Sequence, residues 1–188
     1  MTESNDSARI PLPGPDDVSG ETRVLYDNVM ASRGMDFMAN VFRGLGNSPA
    51  AMEKVTSLGE YARFKTGFDD ELRELLILTT AQCTGSAYEW THHYHIAEKL
   101  GIDKETLNSI GSAEIEQRPN GVGAAVRFAR LVASNEQIDD QTFEAVRDKF
   151  GDKGLIDMTV ITGYYVMLGL YTNAMRIPCE VELVAFSR

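Results

Sequence analysis

The three histidines of the chain, His92, His93 and His95, lie within four positions of one predicted helix. Residues three or four positions apart share a helix face, so Glu89 lies one turn before His93 on the side that also carries apolar residues. A buried carboxylate beside an imidazole can have a pKa near neutrality, as proton transfer requires. The spacing predicts a general acid/base pair, and a purely structural pair is the alternative.

The other two histidines, His92 and His95, fall on a more polar stripe with Tyr88 and Lys99. This stripe should border solvent or the mouth of a pocket. Glu89 and His92 match half of a di-iron helix motif, but the second half is absent from the sequence. We therefore expect no metal site and no cofactor.

Cysteine chemistry is not favoured by the sequence. Cys83 and Cys179 are far apart and form no Cys-x-x-Cys pair. Cys83 falls at the end of an apolar helix, where we expect an inert core thiol. No disulfide is predicted.

The elements that position these residues are all predicted to be helices. Caps such as Ser48 before Pro49, Asp103 and Asp140, and stops such as Gly34, Gly101 and Gly151, bound them. The predicted helices span residues 18–32, 49–65, 69–83, 87–100, 103–110, 122–133, 141–150 and 158–175. The fold class is therefore all-α.

Two of these helices are unusually apolar. Residues 72–81 are apolar nearly all round, which indicates a central helix enclosed by protein. Residues 158–175 carry no charge, but they include glycines, threonines and an asparagine. A buried core or subunit-interface helix explains this stretch better than a membrane span.

Length and charge narrow the function classes. The 188 residues suit one domain, predicted as residues 17–188 after a proline-containing extended arm, residues 1–16. The arm could lie along the body, contact a neighbouring subunit or be loosely ordered. The net charge of −10 argues against nucleic-acid and membrane partners. The polar N-terminus lacks the features of a secretory signal, so we expect a cytoplasmic protein.

The central region resembles a known family. The stretch 72–78, then Gly85, Tyr88-Glu89-Trp90, His93, Ala97 and Gly101, is similar to the carboxymuconolactone decarboxylase family, which includes the alkylhydroperoxidase D-like proteins. The similarity extends from residues 9–11 to 163–165 and 173–174. It implies an alkylhydroperoxidase D-like helical bundle with a central antiparallel helical hairpin, and a homo-oligomer, often a trimer or hexamer, with sites near subunit contacts.

The chain departs from the redox-active members of that family. Their two cysteines correspond to Ser86 and Glu89 here, the glutamate that precedes them corresponds to Glu74, and Cys83 is three positions out of register. Thiol-disulfide exchange needs a thiolate and a sulfur partner, so a peroxidase-type activity is disfavoured. The remaining Glu74, Glu89 and His93 resemble the acid-base set of the decarboxylase branch.

The predicted function is a cofactor-independent lyase (decarboxylase) or isomerase that acts on a small carboxylated lactone or unsaturated ring acid. His93 is expected to be the general acid/base, Glu89 to orient it and Glu74 to be a second proton carrier. The alternatives are a non-catalytic ligand-binding or assembly protein and a peroxidase-type protein. The expected substrate-binding residues are Arg73, Arg63, Tyr88, Trp90, Ser86 and His92.

Overall fold

The computed structural model describes residues 8–185, and within that range it consists of α-helices, two short 3-10 turns and loops, with no strand. The all-α prediction is confirmed. The helices are α1 (Gly20–Arg33), α2 (Asn40–Leu45), α3 (Pro49–Phe64), α4 (Asp70–Thr84), α5 (Ala87–Lys99), α6 (Lys104–Ser109), α7 (Val122–Ala133) and α8 (Asp140–Met175).

The α4–α5 hairpin forms the centre of the fold, as the resemblance implied. The side chain of Asp69 caps α4 by accepting a hydrogen bond of 2.8 Å from the Leu72 amide. The helix ends at Gly85, whose φ of 64° belongs to the left-handed region that glycine adopts without strain. Ser86 then caps α5 by accepting from the Glu89 amide at 3.3 Å. This two-residue turn fixes the register of Glu89 and His93 against α4.

Helix α4 separates two apolar cores, which is why its sequence is apolar on nearly every side. Leu72, Leu76 and Ile77 pack into a core shared mainly with α1, α3 and α8. Leu75 and Leu78 pack into a second core with parts of α5, α6 and α7. Each buried leucine or isoleucine contributes roughly 1.5 to 3 kcal/mol, so this burial anchors α4 strongly in the fold. Its predicted central position is confirmed.

Helix α8 is longer than the sequence predicted. Gly151 was expected to end a helix that began after a capping Asp140. Instead the cap is Asp139, whose side chain accepts from the Thr142 amide at 2.8 Å, and Asp140 is the first helical residue. Gly151 bends the chain with φ 68° and ψ 178°, after which the helix continues. The second half runs through the uncharged stretch to Met175.

This uncharged half of α8 is partly buried and partly exposed. Among the described residues α8 alone is long and apolar enough to span a membrane by length and composition, and 56% of its apolar window is buried in the protein. Such burial is typical of a core helix. The outer face of α8 exposes Ile156, just before this stretch, and Met167 and Leu170 within it, with 65%, 37% and 62% of their surface accessible.

The described part of the arm, from residue 8, lies along the body of the protein. The Arg9 amide donates to the Met175 carbonyl at 2.8 Å, and Asn47 donates to the Pro11 carbonyl at 2.8 Å. Ile10 and Leu12 pack against the first core. Residues 1–7 of the predicted arm lie outside the described residues.

Two further sequence predictions are wrong. Helix α2 was missed, because its six residues are too few to show a helical period. Cys83 was expected to be buried, but it is exposed near the C-terminal end of α4, where the helix leaves the core. After α8 the chain runs back as an extended segment across α5, where the Val184 amide donates to Thr91 Oγ1 at 3.1 Å.

Candidate active site

A cavity of about 410 Å³ opens beside the hairpin, between α1, α3, α5 and α8. Its walls combine apolar side chains with polar groups that converge from four elements. The polar groups central to its chemistry are Arg33, Arg63, Tyr88, Glu89, His92 and His93. A largely apolar pocket with a few converging polar side chains is typical of a small-molecule site.

His93 is held by Glu74 from the neighbouring helix of the hairpin. His93 Nδ1 lies 2.5 Å from Glu74 Oε2, and both side chains are buried. Burial disfavours the charge on Glu74, but His93, Arg63 and Arg73 outweigh it and lower the pKa of this carboxyl group. Burial also lowers the pKa of His93, against the pull of Glu74. The Glu74 carboxylate therefore accepts a hydrogen bond from Nδ1–H of a neutral imidazole, which leaves Nε2 with a free lone pair.

Glu89 faces the free nitrogen of His93. Glu89 Oε2 lies 4.0 Å from His93 Nε2, too far for a direct hydrogen bond. Burial is the main reason that the pKa of Glu89 is raised to about 7, with smaller opposing contributions from His92 and Arg63. Glu89 Oε1 is buried and has no hydrogen-bond partner among the described residues. Glu89 can therefore hold or release a proton near neutral pH.

The contacts of Glu74 and Glu89 with His93 are the reverse of those that their predicted roles require. The sequence predicted that Glu89 would orient His93 and that Glu74 would be the second proton carrier. In the structure Glu74 makes the orienting hydrogen bond, and it is not among the residues that line the cavity. Helical spacing could place Glu89 near His93, but only the packing of α4 on α5 shows which carboxylate touches which nitrogen.

Two arginines bring positive charge to the cavity. Arg63, in the last turn of α3, was predicted from the sequence, and its buried Nε has no hydrogen-bond partner among the described residues. Arg33, at the end of α1, was missed because it lies far from the motif in sequence. Its guanidinium stacks 4.9 Å from the ring centre of Phe42, and burial lowers its pKa. Guanidinium groups bind carboxylates through paired hydrogen bonds, so this end of the cavity favours an anion.

Two tyrosines of α8 complete the wall. The Tyr165 ring meets the His93 ring edge to face, with centres 4.9 Å apart, and Tyr164 also lines the cavity. Burial raises the pKa of both phenols well above neutrality, so both remain protonated. The sequence analysis did not name these two tyrosines as site residues. The only sequence signal for them was the family resemblance, which includes residues 163–165.

On the other side of the cavity, His92 lies next to the C-terminal segment. Its Nε2 is 3.5 Å from Glu180 Oε2, while Tyr88 donates a hydrogen bond of 3.1 Å to Glu180 Oε1. Burial disfavours charge on His92, but Cys179 and Glu180 outweigh it and raise the pKa of this imidazole to about 9. His95 also lines the cavity and donates to the Glu182 carbonyl at 3.2 Å.

Three of the expected substrate-binding residues do not line the cavity. Arg73 pairs with Asp70 at 2.7 Å and faces Glu74. Ser86 caps α5 and hydrogen-bonds Thr172 at 3.2 Å. Trp90 packs into the second core. The other three, Arg63, Tyr88 and His92, do line it.

Together these features describe a helical bundle with a cavity lined by His93, Glu89 and the guanidinium groups of Arg33 and Arg63. The model of the carboxymuconolactone decarboxylase family matches residues 49–140, a range that contains α3, the hairpin and α7. The family resemblance read from the sequence is thus confirmed, and this segment is a carboxymuconolactone decarboxylase family domain. No functionally curated protein matches the chain.

Solved structures share the fold over almost the whole chain. The debrominase Bmp8, as a variant in complex with 2,3,4-tribromopyrrole, is 18% identical with a TM-score of 0.77 and covers 95% of this chain and 94% of its own. A peroxidase-related protein of Ralstonia eutropha JMP134 with an alkylhydroperoxidase AhpD core is 20% identical, with a TM-score of 0.78 and 92% of each chain covered. A peroxidase-related protein of Silicibacter sp. TM1040 is 15% identical, with a TM-score of 0.76 and 94% and 93% covered. These matches confirm the alkylhydroperoxidase D-like bundle.

Proposed function

We propose that the protein is a cofactor-independent lyase or isomerase that moves a proton on a small carboxylated lactone or unsaturated ring acid. The observation that carries the proposal is the geometry of His93. Glu74 holds its Nδ1 at 2.5 Å, and its Nε2 points towards Glu89, 4.0 Å away, at a cavity wall. Two proton-transfer groups face each other across a gap in which a substrate atom can approach both.

In the decarboxylase form of the proposal, the bond between a ring carbon and its carboxylate breaks and carbon dioxide leaves. The electron pair stays on the ring carbon and is delocalised into the conjugated lactone carbonyl. The carboxylic acid of Glu89 then gives its proton to a carbon of this dienolate, and solvent restores that proton. The net reaction consumes one proton and releases one carbon dioxide.

In the isomerase form, His93 Nε2 removes a proton from carbon and Glu89 returns one to another carbon of the same conjugated system. Glu74 stabilises the imidazolium formed in this step, because it is already ionised and bonded to Nδ1. The turnover leaves His93 protonated and Glu89 ionised, and proton exchange with solvent restores both groups. Each proton-transfer group would contribute roughly 10²- to 10⁴-fold to the rate.

Substrate binding in this proposal depends on the cationic end of the cavity. Arg63 offers a buried Nε without a hydrogen-bond partner among the described residues, and Arg33 lines the same cavity. A substrate carboxylate that binds there loses its water shell and gains charge-assisted hydrogen bonds from the guanidinium groups. The volume of about 410 Å³ suits one small ring with its substituents.

A panel of carboxylated lactones and unsaturated ring acids, followed by ultraviolet absorbance and carbon dioxide release, tests the proposal. We expect the wild-type protein to consume at least one compound and Glu89→Gln to lower kcat at least 10²-fold. Because Glu89 acts as an acid with a pKa of about 7, the wild-type rate should fall as the pH rises above that value.

The matched control is Glu98→Gln, the same change on the same helix at a half-exposed side chain that pairs with His95. It should keep the wild-type rate within about twofold. Full activity of a folded Glu89→Gln protein would refute the assignment. Ligands that raise the melting temperature without being consumed would favour the binding-protein alternative instead.

A further inference from the structure

A second cluster of side chains lies at the edge of the cavity, outside the proposed acid-base pair. His92 from α5 meets Cys179 and Glu180 from the C-terminal segment. The imidazole nitrogen, the thiol sulfur and a carboxylate oxygen all lie within 4.8 Å of one another. Three different donor types thus converge from two elements that are far apart in sequence.

The spacing of these atoms approaches that of a zinc site. Zinc binds nitrogen, oxygen and sulfur at about 2.0 to 2.3 Å, which separates tetrahedral ligands by roughly 3.3 to 3.8 Å. His92 Nε2 and Glu180 Oε2 are already 3.5 Å apart. Because all three ligand atoms lie within 4.8 Å of one another, Cys179 Sγ has to approach by at most about 1 to 1.5 Å, a shift that a rotation of its side chain can supply.

The surroundings hold two of the donors ready. The backbone N–H of Asn40 and the Tyr88 hydroxyl both donate hydrogen bonds to Glu180 Oε1, at 3.0 Å and 3.1 Å. The other oxygen, Oε2, is therefore the one turned towards His92. His92 Nε2 is buried and forms no well-aligned hydrogen bond with any described residue. Hydrogen bonds that orient a carboxylate in this way are typical of the outer shell of metal sites.

We propose that His92, Cys179 and Glu180 form a zinc site that fastens the C-terminal segment to α5 at the edge of the cavity. Thiolate, imidazole and carboxylate together favour Zn²⁺ over Mg²⁺ or Ca²⁺, which prefer oxygen ligands alone. On binding, the Cys179 thiol and the protonated imidazole of His92 each release a proton to solvent, sulfur–zinc and nitrogen–zinc bonds form, and solvent fills the fourth position. Val181, next to Glu180, lines the cavity, so the ion would fix one wall of it.

This site is separate from the proposed acid-base pair, because neither Glu89 nor His93 is among its ligands. Its absence from the sequence prediction has a physical reason. A metal motif is recognised by short spacing, whereas these ligands meet only when the C-terminal segment runs back across α5.

Cobalt titration of the metal-free full-length protein provides the test, since Co²⁺ takes the same ligands as Zn²⁺ and reports a bound thiolate by a near-ultraviolet charge-transfer band. We expect one equivalent of Co²⁺ to produce this band and one equivalent of Zn²⁺ to abolish it. Cys179→Ser should eliminate the band, and His92→Gln should weaken Co²⁺ binding at least tenfold. Cys83→Ser, which changes the other and exposed cysteine, should leave the titration unchanged.

The proposal is overturned if the wild-type protein shows no thiolate band, or if Cys179→Ser retains it. A band lost in Cys83→Ser would also overturn it, since the thiolate would then belong to another site. Glu89→Gln should bind Co²⁺ as the wild type does. The metal test can therefore fail while the acid-base proposal stands, and the reverse also holds.

Discussion

Two buried carboxyl groups of the hairpin, Glu74 and Glu89, have opposite electrostatic environments. Glu74 touches an imidazole and lies near two arginines, which lowers its pKa despite burial. Glu89 has no such contact, and burial raises its pKa to about 7. Neighbouring groups of one chemical type can thus take separate roles, with Glu74 orienting and Glu89 exchanging protons.

The raised pKa of Glu89 has a consequence for stability. A carboxyl group whose pKa rises from 4.5 to about 7 on folding favours the fold below pH 4.5, and this contribution is lost as the pH rises through 7. Glu89→Gln removes this loss. We expect the unfolding free energy of the variant minus that of the wild type to increase by about 2 to 3 kcal/mol from pH 5 to pH 8.5. Urea denaturation at both pH values measures it.

The groups around Glu89 that could alter this dependence come from several elements. They are Arg63, Glu74, Tyr88, His92, His93, Tyr164, Tyr165 and Glu180. All of them are present in both proteins, so the comparison cancels most of their own pH dependence. A stability difference that does not change with pH would show that Glu89 is ionised in the folded protein throughout this range.

At the scale of elements, α8 forms one wall of the cavity, and a bend at Gly151 directs the second half of the helix towards that wall. In its first half Thr142 accepts a hydrogen bond from Arg127 of α7, and after Gly151 the helix meets Thr84 of α4 at Gly169 and His93 of α5 at Tyr165. Gly151 has φ 68° and ψ 178°, a conformation available almost only to glycine. A straight helix of this length could not follow both surfaces.

Substitution of Gly151 by alanine tests this bend. A Cβ there meets no atom within 4 Å, so the effect comes from the backbone alone. We expect Gly151→Ala to lower the unfolding free energy by about 1 to 3 kcal/mol in chemical denaturation. In an ordinary helix the same change would raise the unfolding free energy by about 1 kcal/mol. The sign of the effect therefore distinguishes a glycine-specific bend at residue 151 from an ordinary helical backbone. Ala145 is an exposed residue of the same helix, and Ala145→Gly measures the difference in unfolding free energy between alanine and glycine at an unstrained helical position.

At the scale of the whole molecule, the outer face of α8 is an uncharged surface on a chain of net charge −10. Ile156, Met167 and Leu170 expose 65%, 37% and 62% of their surface along this face. Contiguous apolar patches of this kind are uncommon on monomers and typical of subunit contacts. We propose that a second copy of the chain covers it, in line with the homo-oligomer expected from the family resemblance.

Replacement of Leu170 by glutamate tests this assembly. We expect the wild type to sediment as a homo-oligomer at micromolar concentration, and Leu170→Glu to shift it towards the monomer because the change buries an unpaired charge in the contact. Val24→Glu places the same charge on α1, where Val24 is 57% exposed, and should leave the assembly intact. A monomeric wild-type protein, or an oligomer unaffected by Leu170→Glu, would rule out this face.

Local features of the sequence determined most of the fold. Caps such as Ser48, glycine stops such as Gly85 and the apolar residues of α4 act over a few positions, so they can be read directly from the chain. The same local geometry predicted that Glu89 and His93 share a buried helix face. Gly151 shows the limit, because its backbone angles depend on what each half of α8 packs against.

Only the tertiary structure decided how the site is arranged. Glu74, Arg33, Tyr165 and Glu180 reach the site from four elements, and no short spacing records their meeting. Whether a carboxylate touches an imidazole or remains unpartnered depends on the packing of α4 against α5, and this contact sets the pKa of each group. Helix formation is a short-range property of a sequence, whereas electrostatic environment is a property of the folded chain.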